Sequence, residues 1–259
     1  MNTKQSDLAG QFYPTDQKKL QNQVNQYLEE ANPEEIKGNL KAILVPHAGI
    51  VCSGQTAAFG YKLLKNKKYQ NIILLGVAHR YPFLDITVSD YKYWKTPLGK
   101  IQLSEVNKEI IDETGFEKIN DAFANENSLE TQLPFLQIVA KKSHLTPIVT
   151  GQVQNHQEIA QTLTNYLDKE TLLVVSSDLS HYLPHETAHK TDNKTINQIL
   201  NLDNKIHHDQ ACGTNGIKIL IELAKLLNWK AKLLDYRTSG DTCGDKSRVV
   251  GYTSIAFYK

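Results

Sequence analysis

Leu40-Lys-Ala-Ile-Leu-Val45, followed at once by Pro46-His47-Ala48-Gly49, is the stretch on which the fold turns. A short apolar run bounded by polar residues is the pattern of a strand buried on both faces, and the residues behind it end that strand at a histidine. The same pattern recurs further along. Asn71-Ile-Ile-Leu-Leu75 is a second apolar run, with Gly76 and His79 at its exit. Leu172-Leu-Val-Val175 is a third, and it runs into Ser176-Ser177-Asp178-Leu179-Ser180-His181. Between the runs lie segments of helical patterning. Residues 17–31 place Leu20, Val24, Tyr27 and Leu28 at helical spacing between Pro14 and Pro33, and Ser53-Gly54 reads as the cap of a helix over 55–65. Helical spacing continues at 104–114, 129–141, 157–167, 192–202 and 217–227, with β-rich stretches at 83–89 and 145–150 and closing strands at 231–236 and 249–257. Strands alternating with helices predict an α/β fold, a single-domain α/β/α sandwich over residues 1–259 with a mainly parallel or mixed central sheet.

The balance of charge narrows the partners. With 29 Lys and Arg against 28 Asp and Glu, the net charge is +1, and acids are interleaved with the lysines. That removes the bulk electrostatic case for nucleic acid or an anionic membrane. No stretch approaches the roughly 18 apolar residues that span a bilayer, and the amino terminus lacks a secretory core. The three cysteines, Cys52, Cys212 and Cys243, are odd in number and widely spaced, which predicts free thiols and a cytoplasmic protein.

In open α/β sheets, ligand groups gather outside the carboxyl ends of the strands, where diverging connections leave a crevice. Four such exits carry polar chemistry here: His47, His79, the Asp178/His181 pair and the loop Asp241-Thr242-Cys243. Two imidazoles with one thiolate or carboxylate form a ligand set that iron, copper or zinc accepts with positions left open. Taken singly, each histidine is better explained by a hydrogen bond in a turn, and it is their coincidence at several exits that raises the case for a metal. His181, His185 and His189 are four apart, but Pro184 argues against one continuous helix, so His185 and His189 are read as solvated. Cys212 precedes a helix and is read as packing.

Further motifs stand out: Phe12-Tyr13-Pro14, Pro46-His47-Ala48-Gly49 with Ser53-Gly54, Thr96-Pro97-Leu98-Gly99, Ser128-Leu129-Glu130 with Gln132-Leu133-Pro134-Phe135, Ser176–His181, Ala211-Cys212-Gly213, and Ser239-Gly240-Asp241 with Gly251-Tyr252. Together these motifs resemble the Memo family, whose prokaryotic members are also labelled AmmeMemoRadiSam system protein B. They fall in order along nearly the whole chain. The resemblance implies a fold akin to class III extradiol dioxygenases, which hold Fe(II) with two histidines and a carboxylate. It maps His47 and His79 onto the family's two histidine ligands. The third ligand falls in the loop before Gly251-Tyr252: an ungapped count lands on Thr242, a one-residue slip gives Cys243, and Asp241 is the alternative. His181 matches a cleft histidine with an acid/base role, which Asp178 could orient. Asn127 stands where many relatives carry histidine, and an amide cannot serve as a base.

Two functions follow from the resemblance. The first is a metal-dependent redox protein, dioxygenase-like, holding one Fe(II) or copper per chain, with zinc as a further candidate, and acting on a small-molecule substrate. The alternative is a non-catalytic adaptor that uses the same crevice for a peptide or anionic ligand. The system label also implies a functional link to radical-SAM and AMMECR-type proteins.

Overall fold

The structure, a computed structural model, describes residues 2–114 and 118–259. The chain begins with β1 (Thr3–Lys4), α1 (Gln17–Glu30), β2 (Leu40–Val45), α2 (Ile50–Lys62), β3 (Asn71–Val77) and β4 (Ile86–Val88). It continues through the hairpin β5 (Tyr93–Thr96) and β6 (Gly99–Gln102), then α3 (Val106–Thr114), α4 (Asn127–Glu130), α5 (Leu133–Val139), β7 (His144–Thr150), α6 (His156–Thr164) and β8 (Thr171–Ser176). The remainder is β9 (His181–Leu183), α7 (His185–Leu200), α8 (Thr214–Leu227), β10 (Lys230–Thr238), α9 (Ser239–Thr242) and β11 (Val249–Tyr258).

The main sheet has the order β10-β11-β2-β8-β3-β7-β4, with β9 paired to β11, and β1, β5 and β6 form a small separate sheet. Strands β2, β8, β3 and β7 run parallel, while β11, β10 and β4 are antiparallel to their neighbours. The central strands bury both faces, and alternate residues feed opposite layers because side chains alternate along a strand. Ile43, Val45, Ile72, Leu74, Leu172 and Val174 pack with Leu20, Val24 and Leu28 of α1 and Tyr61 of α2. Ala42, Leu44, Ile73, Leu75, Leu173 and Val175 pack with Ile159 and Leu163 of α6, Ile196 and Ile199 of α7, and Ile217, Leu220 and Ala224 of α8. Each fully buried Leu, Ile or Val adds about 1.5–3 kcal/mol, so the α/β/α sandwich expected from the apolar runs is set by these two layers. Among the described residues, no helix is long and apolar enough to cross a membrane.

Three helix boundaries depart from expectation, each for a local reason. Helix α2 starts at Ile50 with Gly49 as its cap, so Ser53 and Gly54 lie inside it. Ile50 N donates to Phe12 O at 2.8 Å, and a Cβ at Gly54 would sit 2.7 Å from the Tyr27 ring, so the glycine serves the contact between α1 and α2. The helix expected over 129–141 is split into α4 and α5. Pro134 stands in the first turn of α5, where it lacks only an N–H that a helix start leaves unpaired anyway. Helix α7 begins at His185, directly after Pro184 and well before the expected 192. Its first turn is polar, so apolar periodicity gave no sign of it.

Candidate metal centre

Parallel pairing of β2 with β8 and of β8 with β3 brings three carboxyl ends to one edge of the sheet. His47 follows β2 and His79 follows β3, and their ring centroids stand 5.2 Å apart at 82°. The two exits are thus neighbours, as the strand reading predicted.

Each imidazole is held from behind. His79 Nδ1 lies 2.9 Å from Glu126 Oε1, and His79 N donates to Glu126 Oε2 at 2.8 Å. A carboxylate only accepts, so His79 carries its proton on Nδ1 and presents Nε2 outward. Burial lowers the His79 pKa, but the hydrogen bond and charge of Glu126 outweigh it and the net shift is upward. His47 Nδ1 faces the Ser176 hydroxyl at 2.9 Å. Ser176 Oγ accepts from Gln132 Nε2 at 2.9 Å, and Gln132 Oε1 accepts from Tyr61 OH at 2.8 Å, so the ring is seated by a buried polar chain. His47 is 1% exposed. Burial, seconded by the nearby His79, pushes its pKa down to about 3, so it is a neutral imidazole with a free lone pair at any physiological pH.

The third member is Cys212. Its Sγ lies 3.1 Å from His47 Nε2, and ligand atoms of His47, His79 and Cys212 all fall within 4.8 Å of one another. Burial and the charge of Asp178 push the thiol pKa up, so the metal-free group is a protonated thiol. Gly213 makes the placement possible: a Cβ there would stand 2.7 Å from Ser177 Cβ and 2.9 Å from the Ser176 carbonyl, so no other residue lets this turn lie so close under β8. Ligands sharing one ion at about 2.0–2.1 Å (nitrogen) and 2.3 Å (sulfur) are separated by about 3.1 Å when they subtend a right angle. The Sγ to Nε2 distance matches that, and both histidines have the oriented Nδ1 that ligating imidazoles show. The residues present fit an iron, copper or zinc ion.

Other expected members lie elsewhere. Cys243 forms a disulfide with Cys52, bridging a separation of 191 residues, so two of the three predicted thiols are absent and Cys212 alone is free. Asp241 Oδ1 stands 3.0 Å from His185 Nε2, and the carboxylate caps Thr238 N and Oγ1 through Oδ2. Thr242 Oγ1 bonds the Thr238 carbonyl. Asp178 is buried, and its Oδ1 accepts from His47 N at 2.7 Å. Burial raises its pKa to about 6, against the hydrogen bonds from the amides of His47 and Ala48. It braces the His47 turn, whereas His181 is oriented by its own neighbour: His181 Nδ1 lies 2.8 Å from Leu179 O. A carbonyl only accepts, so His181 Nδ1 carries a proton and Nε2 is the nitrogen left for a ligand. Asn127 Nδ2 donates to the His47 carbonyl at 3.3 Å.

Two quoted motifs serve the frame of the site. Glu130 is buried and gathers the amino-terminal segment, accepting from Tyr13 OH at 2.6 Å, Leu8 N at 2.9 Å and Lys4 Nζ at 3.3 Å. Ser128 Oγ bonds Val77 N and O at the exit of β3, just before His79. The residue that the strand-exit reading missed is Cys212, because it enters at the start of α8 and not from a strand. Its one visible sign was the Ala211-Cys212-Gly213 motif.

The family model described as Memo-like protein matches residues 4–256. Curated relatives described as MEMO1 family protein include one from Desulfurococcus amylolyticus, 34% identical over 277 residues that cover 97% of each chain. Another, from Aquifex aeolicus, is 35% identical and covers 99% of this chain and 100% of its own. Among solved structures, an uncharacterized protein from Escherichia coli K12 superposes with a TM-score of 0.54 at 12% identity, over 83% of this chain and 99% of that one. This last likeness is one of fold alone.

Proposed function

Since the chain belongs to the Memo-like protein family, we propose that it is a metal-dependent redox protein in which His47, His79 and Cys212 hold one Fe(II) or copper ion. The observation that carries this reading is the convergence of two pre-oriented imidazoles and a free thiol within 4.8 Å at the carboxyl edge of the sheet. When bound, such an ion with open positions supplies Lewis acidity and one-electron chemistry toward dioxygen or its reduced products. Zinc suits the same donors and would restrict the site to Lewis-acid chemistry.

The chain's own groups have separate tasks. Glu126 fixes which nitrogen of His79 carries the proton, and Ser176 holds the His47 ring with Nε2 toward Cys212. Asp178 locks the backbone of His47 and Ala48, and adds negative charge that helps hold a cation. His181, with Nδ1 engaged by Leu179 O, has Nε2 available to take a proton from a substrate or return it, which makes it the acid/base group of the crevice. Cys212 must lose its proton to bind a metal, so uptake releases a proton at neutral pH.

The test is metal content after anaerobic loading with Fe(II) or Cu and removal of free ion. His47→Ala and His79→Ala should each bind one equivalent less than the unsubstituted protein. Unchanged content in both variants would overturn the proposal.

A further inference from the structure

The segment His185-Glu-Thr-Ala-His189 has the H-E-x-x-H spacing that, on a helix, sets two imidazoles on one face to hold zinc. Such a match is weak by itself, since four-residue spacing arises often. Here its structural context is met. Both residues lie in the first turns of α7, and a carboxylate from another element faces them. We propose that His185, His189 and Asp241 form a second metal site, specific for a divalent ion of the zinc class and separate from His47, His79 and Cys212.

His185 Nε2 stands 3.0 Å from Asp241 Oδ1 and 3.2 Å from His189 Nε2, and all three ligand atoms lie within 4.8 Å of one another. An imidazole nitrogen has one in-plane direction, occupied by either a proton or a lone pair. If His185 Nε2 carries the proton, two acceptors compete for it. If it carries the lone pair, that pair faces a carboxylate oxygen with nothing between. A divalent cation set among the three atoms would be met by a lone pair from each imidazole and by the carboxylate oxygen. Ligands at about 2.0–2.2 Å from one ion are about 3.0 Å apart at a right angle and about 3.4 Å apart at the tetrahedral angle, and the two observed separations fall in that interval.

The ligands are also held in place. Asp241 Oδ2 is fixed by Thr238 N and Oγ1, which leaves Oδ1 to face His185. The loop that carries it is tied to α2 through the Cys52–Cys243 disulfide. The His189 ring packs edge-on against Tyr236 at 5.2 Å, and the His185 side chain is 14% exposed. Glu186 is 90% exposed and sits on the Nδ1 side of His185, away from the ligand atoms. The geometry therefore points to zinc binding and not to the peptide hydrolysis that a glutamate base would serve in this motif.

The test is titration of the full chain with Co2+, followed by optical absorption and by equilibrium dialysis with metal analysis, and repeated with Zn2+. The intact protein should bind two equivalents. His189→Gln and Asp241→Asn should each bind one, and should retain the near-ultraviolet charge-transfer band of a thiolate-ligated cobalt. His47→Ala should bind one without that band. Wild-type stoichiometry in both His189→Gln and Asp241→Asn, with circular dichroism showing them folded, overturns the second site. Loss of the thiolate band from the intact protein counts instead against the first site, so the two failures are distinguishable.

Discussion

Replacing Glu126 with glutamine isolates what orients His79. The carboxylate is 1% exposed and accepts from His79 Nδ1 at 2.9 Å and Ser128 N at 2.8 Å through Oε1, and from His79 N at 2.8 Å through Oε2. Glutamine has nearly the same volume but only one acceptor oxygen, and its NH2 must face at least one of these N–H donors. If the amide oxygen keeps the Oε1 position, the backbone N–H of His79 loses its partner. If it takes the other, the ring loses its anchor and the tautomer that frees Nε2 is no longer enforced. Loss of an outer-shell partner of this kind weakens metal binding by about 10–100-fold, or about 1.4–2.7 kcal/mol at 1.36 kcal/mol per decade. Stability should fall by about 1–3 kcal/mol, the cost of an unsatisfied buried donor. The assay is competition for Zn2+ against a chromophoric chelator at pH 7.5, with urea unfolding run in parallel. A folded Glu126→Gln protein with unchanged affinity at the Cys212 site would refute the orienting role.

Cys212→Ser should keep the fold and lower affinity at the first site by more than the roughly 10–100-fold expected for an outer-shell loss, measured in the same competition assay. The acid side of the stability profile should carry the mark of His47. Its folded pKa, about 3, lies below its unfolded value near 6.5, so its contribution is present above 6.5 and lost as pH falls. Urea unfolding of the metal-free protein should show His47→Gln losing about 2 kcal/mol less than the unsubstituted chain between pH 7 and pH 5. The His79–Glu126 pair acts in the opposite sense on its histidine side: the raised His79 pKa makes its share complete below about 6.5 and lost at higher pH. Thiol titration of the unfolded, unreduced protein should find Cys212 alone reactive, and reduction of Cys52–Cys243 should cost up to about 5 kcal/mol of stability by loop entropy. Melting temperatures with and without reductant check the latter.

The sheet and the histidine pair were legible in the sequence because both follow from short-range patterns. Apolar runs such as Leu40–Val45 and Leu172–Val175 have one stable place, the middle of a covered parallel sheet, and whatever follows them in sequence must emerge at the same edge. His47 and His79 came together for that reason. The third donor was not legible. Cys212 reaches the site through the packing of Gly213 under Ser177, a contact between segments with no shared periodicity. Cys243 and Asp241 are one residue apart from Thr242, yet the α9 turn sends one to Cys52 and the other to His185. One residue of register in a Gly- and Asp-rich loop reverses such an assignment, and hydrophobic patterning has no purchase there. The early start of α7 was hidden likewise: the four-residue spacing of His185 and His189 was visible, but Pro184 was read as breaking the helix when it caps it.

The most direct measurement of the central claim is anomalous diffraction from a crystal of the full chain soaked in Zn2+ or Co2+. A peak within bonding distance of His47 Nε2, His79 Nε2 and Cys212 Sγ is the predicted result. A peak that engages neither histidine, or its absence from that edge of the sheet under saturating metal, would contradict it.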